Sequence, residues 1–115
     1  MIHYFKSGEL MSELHIVKHY NHRPSICAWI QDGTYHRLSG PAYVTYDFGG
    51  KIEVVAFYIK GQLHREDGPA MIEYDLCGPI KKRYSIQDVE MPESDFRIYC
   101  LVMDNMKGLE STYDY

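Results

Sequence analysis

Residues 33–50 read GTYHRLSGPAYVTYDFGG and residues 61–78 read GQLHREDGPAMIEYDLCG. Set one above the other, Gly33 falls on Gly61, His36 on His64, Arg37 on Arg65 and Gly40-Pro41-Ala42 on Gly68-Pro69-Ala70. Tyr46-Asp47 falls on Tyr74-Asp75 and Gly50 on Gly78, every pair 28 positions apart. So many identities at one offset mark an internal repeat, and a repeat decides the fold before any single motif does. The lead-in repeats as well: Trp29-Ile30-Gln31-Asp32-Gly33 lies over Phe57-Tyr58-Ile59-Lys60-Gly61, and Tyr4 to Leu10 resembles both. Downstream, Tyr84 to Asp88 keeps the aromatic-to-turn pattern, with Val89 where a glycine should stand. Upstream, a first unit around residues 8–30 has Met11-Ser12-Glu13-Leu14 in place of the Gly-Pro-Ala loop. Two full units thus lie between a degenerate one and a truncated one. Atypical ends are expected of an array, because a terminal unit must present a polar cap rather than another repeat.

Within each unit the side chains alternate. Ala42, Val44 and Tyr46 alternate with Tyr43 and Thr45, and Ala70, Ile72 and Tyr74 alternate with Met71 and Glu73. That is period 2, the signature of a strand. Lys51 to Ile59 is a longer β-branched and aromatic run, while Phe48-Gly49-Gly50 and Leu76-Cys77-Gly78-Pro79 read as tight turns, where glycine supplies positive φ. Because 28 is even, equivalent side chains of successive units share a sheet face. The expectation is a mainly β protein: a single-layer antiparallel meander of about seven strands, near residues 2–5, 15–20, 25–30, 42–47, 51–59, 70–75 and 80–86.

An apolar sheet face needs a cover, and the C-terminal segment supplies the candidate. Met91-Pro92-Glu93-Ser94-Asp95-Phe96 resembles a helix start, with proline and then acids in the first turn. Phe96, Tyr99, Met103 and Met106 recur at helical spacing, and Lys107-Gly108 reads as a C-cap. A helix over about 92–107 follows, although the aromatic and β-branched content of Phe96 to Met103 also suits another strand. One domain over 1–108 and an acidic tail over 109–115 complete the division.

A chain of 115 residues supports one modest core. Its net charge of −4 argues against nucleic acid, whose phosphates demand a basic surface, and Lys81-Lys82-Arg83 reads as a solvated strand face. Eleven tyrosines against four phenylalanines favour strands with one wet face; without a basic groove they do not make a base-stacking platform. Three widely spaced cysteines, Cys27, Cys77 and Cys100, form neither a disulfide framework nor a metal motif, and read as thiols in a reducing compartment. The start Met1 to Lys6 lacks a signal-peptide core, and no apolar run approaches about 18 residues. A soluble, cytoplasmic protein without membrane contact is expected.

The repeated His-Arg pairs are the most chemical residues in the chain. His64, Arg65, Glu66 and Asp67 could together serve acid–base work, but the first copy has Leu38-Ser39 in place of both acids. A structural role is simpler: the imidazoles bond loop backbone, Arg65 pairs with Asp67 or a strand carboxylate, and Gly68-Pro69 sets the start of the next strand. His15, His19, His22 and Cys27 show the one metal-like spacing. In a strand, positions 15 and 19 lie about 13 Å apart, too far for one zinc ion. No nucleophile elbow or phosphate loop is present. No catalytic residue, metal or cofactor is therefore expected. The binding candidates are His36, Arg37, His64, Arg65, Glu66 and Asp67 of the loops and the sheet positions Tyr43 and Met71.

The pattern aromatic-x-x-Gly-x-Leu-His-Arg-Glu-Asp-Gly-Pro-Ala, followed by an alternating strand ending Tyr-Asp and a glycine turn, resembles the MORN-like repeats of phage and giant-virus proteins of unknown function. Residues 57–78 match closely, 29–50 match with Leu38-Ser39 substituted, and the likeness extends over about 4–105. The resemblance implies a twisted single-layer sheet and a non-enzymatic interaction surface. It points to a phage-encoded protein in the host cytoplasm that binds and inhibits or redirects a host protein, such as a defence factor. The alternative is a self-assembling β-repeat protein that forms a homodimer or larger homo-oligomer through its sheet edges.

Overall fold

The computed structural model describes the backbone of residues 2–4, 14–20 and 23–113, and the side chains of 17–19 and 25–106. Its strands are β1 (Ile2–Tyr4), β2 (Leu14–Tyr20), β3 (Arg23–Gln31), β4 (Thr34–Tyr35), β5 (Tyr43–Tyr46) and β6 (Ile52–Ala56). They continue as β7 (Tyr58–Ile59), β8 (Gln62–Leu63), β9 (Met71–Asp75), β10 (Gly78–Ile86) and β11 (Val89–Met91), before helix α1 (Glu93–Tyr113). The main sheet runs β1-β2-β3-β5-β6-β9-β10, with the short β11 added beyond β10 and β4 beside β3, and its pairing is antiparallel throughout. This is the seven-strand meander expected from the alternation. The molecule measures 57 × 38 × 19 Å.

Register explains why the alternation is so regular. One row across the sheet is Val17, Cys27, Val44, Val55, Ile72 and Lys82; the next is Ala28, Tyr43, Ala56, Met71 and Arg83. Ala42, Ala56 and Ala70 are fully buried, each at 0% exposure. Ala56, Ala70 and Leu63 form a small core on which Tyr43, Tyr58 and Met71 pack. Two of the alanines extend the backbone pairing just before a strand begins: Ala42 N–H donates to Ala56 O of β6 at 2.9 Å, and Ala70 N–H to Arg83 O of β10 at 2.8 Å.

Three short hairpins project from the meander, one per unit: β3–β4, β7–β8 and β10–β11. Their central residues are Asp32-Gly33 (φ 52° and 79°), Lys60-Gly61 (51° and 80°) and Gln87-Asp88 (49° and 67°). Positive φ at both central positions is what a type I′ turn demands. The third turn corrects the expectation at Val89. Asp88, not Val89, occupies the glycine position, and it uses its carboxylate to accept the Leu63 N–H at 2.7 Å.

The constant offset of 28 fails inside the preceding turn, for a simple reason. Tyr46 pairs with Ile52, but the equivalent Tyr74 pairs with Pro79, and Gly78 pairs directly with Asp75. The second turn is one residue shorter, so Gly78 stands where Lys51 does rather than at Gly50, and equivalent positions beyond it are 27 apart. Both turns are still organised by the repeated aspartate. Asp47 Oδ1 accepts the N–H of Gly49 at 2.8 Å and of Lys51 at 2.9 Å, and Asp75 Oδ1 accepts that of Cys77 at 2.7 Å.

Phe96 to Met103 is helical, which settles the strand alternative, and the Phe96 N–H donates to Pro92 O at 3.0 Å in the first turn. The expected stop at Lys107-Gly108 and the tail from 109 are corrected: α1 continues to Tyr113. An interior glycine costs a helix about 1 kcal/mol relative to alanine, which weakens it without ending it. The degenerate loop at Met11-Ser12-Glu13 and the last two positions, 114 and 115, lie outside the described residues.

Candidate functional site

The His-Arg loops have a definite architecture. Each imidazole reaches across to the hairpin of the following unit. His36 Nδ1 accepts the Lys60 N–H at 2.9 Å, and His64 Nδ1 accepts the Gln87 N–H at 3.0 Å. The backbone beside each histidine does the same: Arg37 N–H donates to Tyr58 O at 3.1 Å, and Arg65 N–H to Ser85 O at 3.2 Å. The histidines therefore bond the next unit's turn, not their own loop as the sequence suggested. Ser85 adds a further tie in the second joint, its hydroxyl donating to Leu63 O at 2.9 Å.

Each arginine folds back onto its own unit. Arg37 lies 3.9 Å from the Trp29 ring centroid and donates to Pro41 O at 3.2 Å; Arg65 lies 4.1 Å from the Phe57 ring and donates to Pro69 O at 3.1 Å. The planar cation suits both an aromatic face and a carbonyl. It also explains the glycine. A Cβ on Gly68 would come within 3.0 Å of Arg65 Cζ, and one on Gly40 within 3.3 Å of Arg37 Cζ. The two loops differ at both acidic positions: Arg65 Nε donates to Asp67 at 2.9 Å and His64 Nε2 lies 3.6 Å from Glu66, whereas Ser39 and Leu38 stand in the equivalent places of the first loop.

Helix α1 passes beside these loops and leaves an open groove of about 1150 Å³. The loop wall comprises Arg37, Leu38, Ser39, His64, Arg65, Glu66 and Asp67, with Phe57 and Ile59 beneath, and α1 contributes Phe96, Tyr99, Cys100, Met103 and Asp104. Phe96 is buried, stacked at 4.9 Å on Tyr84, and Cys100 Sγ donates to the Glu66 carbonyl at 3.4 Å. Around the helix start, Tyr84 hydroxyl donates to Glu93 at 2.8 Å, and Arg83 makes a two-pronged pair with Glu90 at 2.9 Å on each arm. The bond from Tyr84 and the nearby Arg97 hold the Glu93 carboxyl below its ordinary range, and Arg83 does so for Glu90.

The groove thus gathers five of the eight binding candidates, namely Arg37, His64, Arg65, Glu66 and Asp67. It leaves out three. His36 is buried in the joint between units, and Tyr43 and Met71 pack on the alanine core, Tyr43 with its ring 5.4 Å from that of Tyr35. Burial, then the neighbouring Tyr35 hydroxyl, raises the Tyr58 hydroxyl pKa beside them. The residues missed by sequence reasoning are Leu38, Ile59, Cys100 and Asp104, which no local pattern distinguishes from ordinary surface and core positions.

The His15–His19 segment is strand β2, as the metal argument assumed, and His22 lies outside the described residues. Among the described residues no three His, Cys, Asp or Glu side chains are close enough to hold a metal, and no helix is long and apolar enough to cross a membrane. Comparison with protein-family models, with curated proteins and with solved structures gives no match.

Proposed function

We propose that this chain is a non-enzymatic protein-binding module, whose groove between the His-Arg loops and α1 receives a short segment of a partner protein. One observation carries the reading: a groove of about 1150 Å³ combines an apolar floor of Phe57, Ile59, Phe96 and Met103 with charged groups of both signs at its rim. Apolar anchors with a polar rim are the anatomy of a peptide site. Catalysis has less support, because the histidines and arginines are already committed to backbone, ring and carboxylate partners that hold the units together. If the chain acts in a phage-infected cell, as the repeat resemblance implies, the partner is a host protein.

Edge-to-edge self-assembly is the weaker reading. The strands at the two ends of the sheet order, β1 and β11, have three residues each, and the outer side of β10 beyond its pairing with β11 carries exposed Lys81 and Lys82. Short ends and lysines are how sheets discourage pairing with a neighbour. The test is affinity capture from the native cell with the tagged chain and with Leu38→Glu/Met103→Glu, which charges both walls of the groove. A partner retained by the parent and lost by the variant, at unchanged melting temperature, supports the proposal. Equal capture by both, or none by either, removes it.

A further inference from the structure

Helix α1 has two apolar faces, and only one is used. Phe96, Tyr99, Cys100 and Met103 face the groove. On the opposite side Ile98, Leu101 and Val102 are 60%, 65% and 49% exposed, at the i, i+3, i+4 spacing of a continuous stripe. Such a stripe on an otherwise charged surface marks something that docks there. What docks is indicated by the charges beside it. Arg97 and Asp104 are seven residues apart, so they lie on the same flank of the stripe, two turns from each other. An antiparallel pairing of two α1 helices that sets Ile98 against the second copy's Leu101 brings Arg97 of each copy to Asp104 of the other. Parallel pairing offers Arg97 no such partner, because the residue facing it would be the apolar Val102.

We infer that the outer face of α1 is a homodimer interface, formed by antiparallel two-fold packing of Ile98, Leu101 and Val102 against the same residues of a second copy, with Arg97 and Asp104 paired across it. A two-fold interface doubles every contact, so one cross-helix ion pair becomes two. Arg97 is available for this: its contact with Glu93, at 3.4 Å within the helix, is exposed at both ends. Asp104, at the groove's edge, is the residue that groove and interface share; Phe96, Tyr99, Cys100 and Met103 stay on the inner side of each helix, so the dimer offers a partner two sites. The inference does not depend on what the groove binds.

Sedimentation equilibrium on the full chain, from micromolar to millimolar, tests it. The expected result is a dimer that Leu101→Glu converts to monomer, with the far-ultraviolet spectrum and melting temperature retained because the position is exposed. Arg97→Asp and Asp104→Arg should each weaken dimerisation by about three- to tenfold, the range expected for exposed pairs. The double swap Arg97→Asp/Asp104→Arg should restore parental affinity. A monomer throughout the range overturns the inference. So does a dimer indifferent to Leu101→Glu, which would place the interface elsewhere, or a double swap no better than the single ones.

Discussion

His64 Nδ1 accepts the Gln87 N–H at 3.0 Å across the joint between two units, as His36 accepts that of Lys60 at 2.9 Å. These bonds turn a chain of hairpins into one body, because the residues joined are 23 and 24 positions apart. His36→Ala removes a part-buried acceptor and leaves a turn N–H unmatched, which should cost about 1–3 kcal/mol. His36→Asn keeps an oxygen acceptor near the Nδ1 position and should recover about half of that loss. Urea midpoints at unchanged m-value are the measurement; equal losses in the two variants would mean that the ring's packing matters and the bond does not.

The glycine of the loop owes its place to the arginine three residues before it. Gly68→Ala should lower stability by about 0.5–1.5 kcal/mol, by pushing the guanidinium off Phe57 and away from Pro69 O. The same substitution in an Arg65→Ala background should cost nearly nothing. The double-mutant cycle isolates this coupling, and an undiminished penalty without Arg65 would show that backbone conformation, not the cation, requires glycine.

Lys60 holds a φ of 51° in the second hairpin turn. Lysine adopts that region reluctantly, whereas Asn-Gly is the favoured type I′ pair. Lys60→Asn should stabilise the protein by about 0.5–1 kcal/mol, read as a higher urea midpoint. A lower midpoint would mean that the exposed lysine side chain contributes something beyond its backbone geometry.

These positions also show what was legible in the sequence. The strands were, because Ala42, Val44, Ala70 and Ile72 must alternate with wet positions, and the reading of a β-meander with a C-terminal helix needed nothing else. The length of the second turn was not. Gly78 and Gly50 coincide by letter, and only strand pairing shows that one residue is missing and that Asp88 has taken over a glycine's conformation. The helix end was obscured by Gly108, whose cost is too small to stop a helix. For the groove, the arginines and acids of the loops were visible as a motif, but Leu38, Ile59 and Asp104 join them only through tertiary packing. The outer stripe of Ile98, Leu101 and Val102 is interleaved in the chain with the groove-facing Tyr99, Cys100 and Met103, so the two faces merge into one apolar run until the helix separates them.

The start of α1 is tied down by two carboxylates, and this makes its attachment sensitive to acid. Glu93 is held below the ordinary carboxylate range first by the Tyr84 hydroxyl and then by Arg97, and Glu90 by Arg83. A carboxyl whose folded value is depressed adds stability above its unfolded value of about 4.5, and that stability fades as pH falls through the lower, folded value. Acidification below about pH 4.5 should therefore loosen the helix start from β10. Carbon-13 carboxyl shifts should show Glu93 and Glu90 titrating below the ordinary range. In Tyr84→Phe the Glu93 midpoint should move back upward while that of Glu90 stays in place. A Glu93 midpoint unmoved by the loss of the hydroxyl would show that the bond from Tyr84 does not hold the helix start in solution.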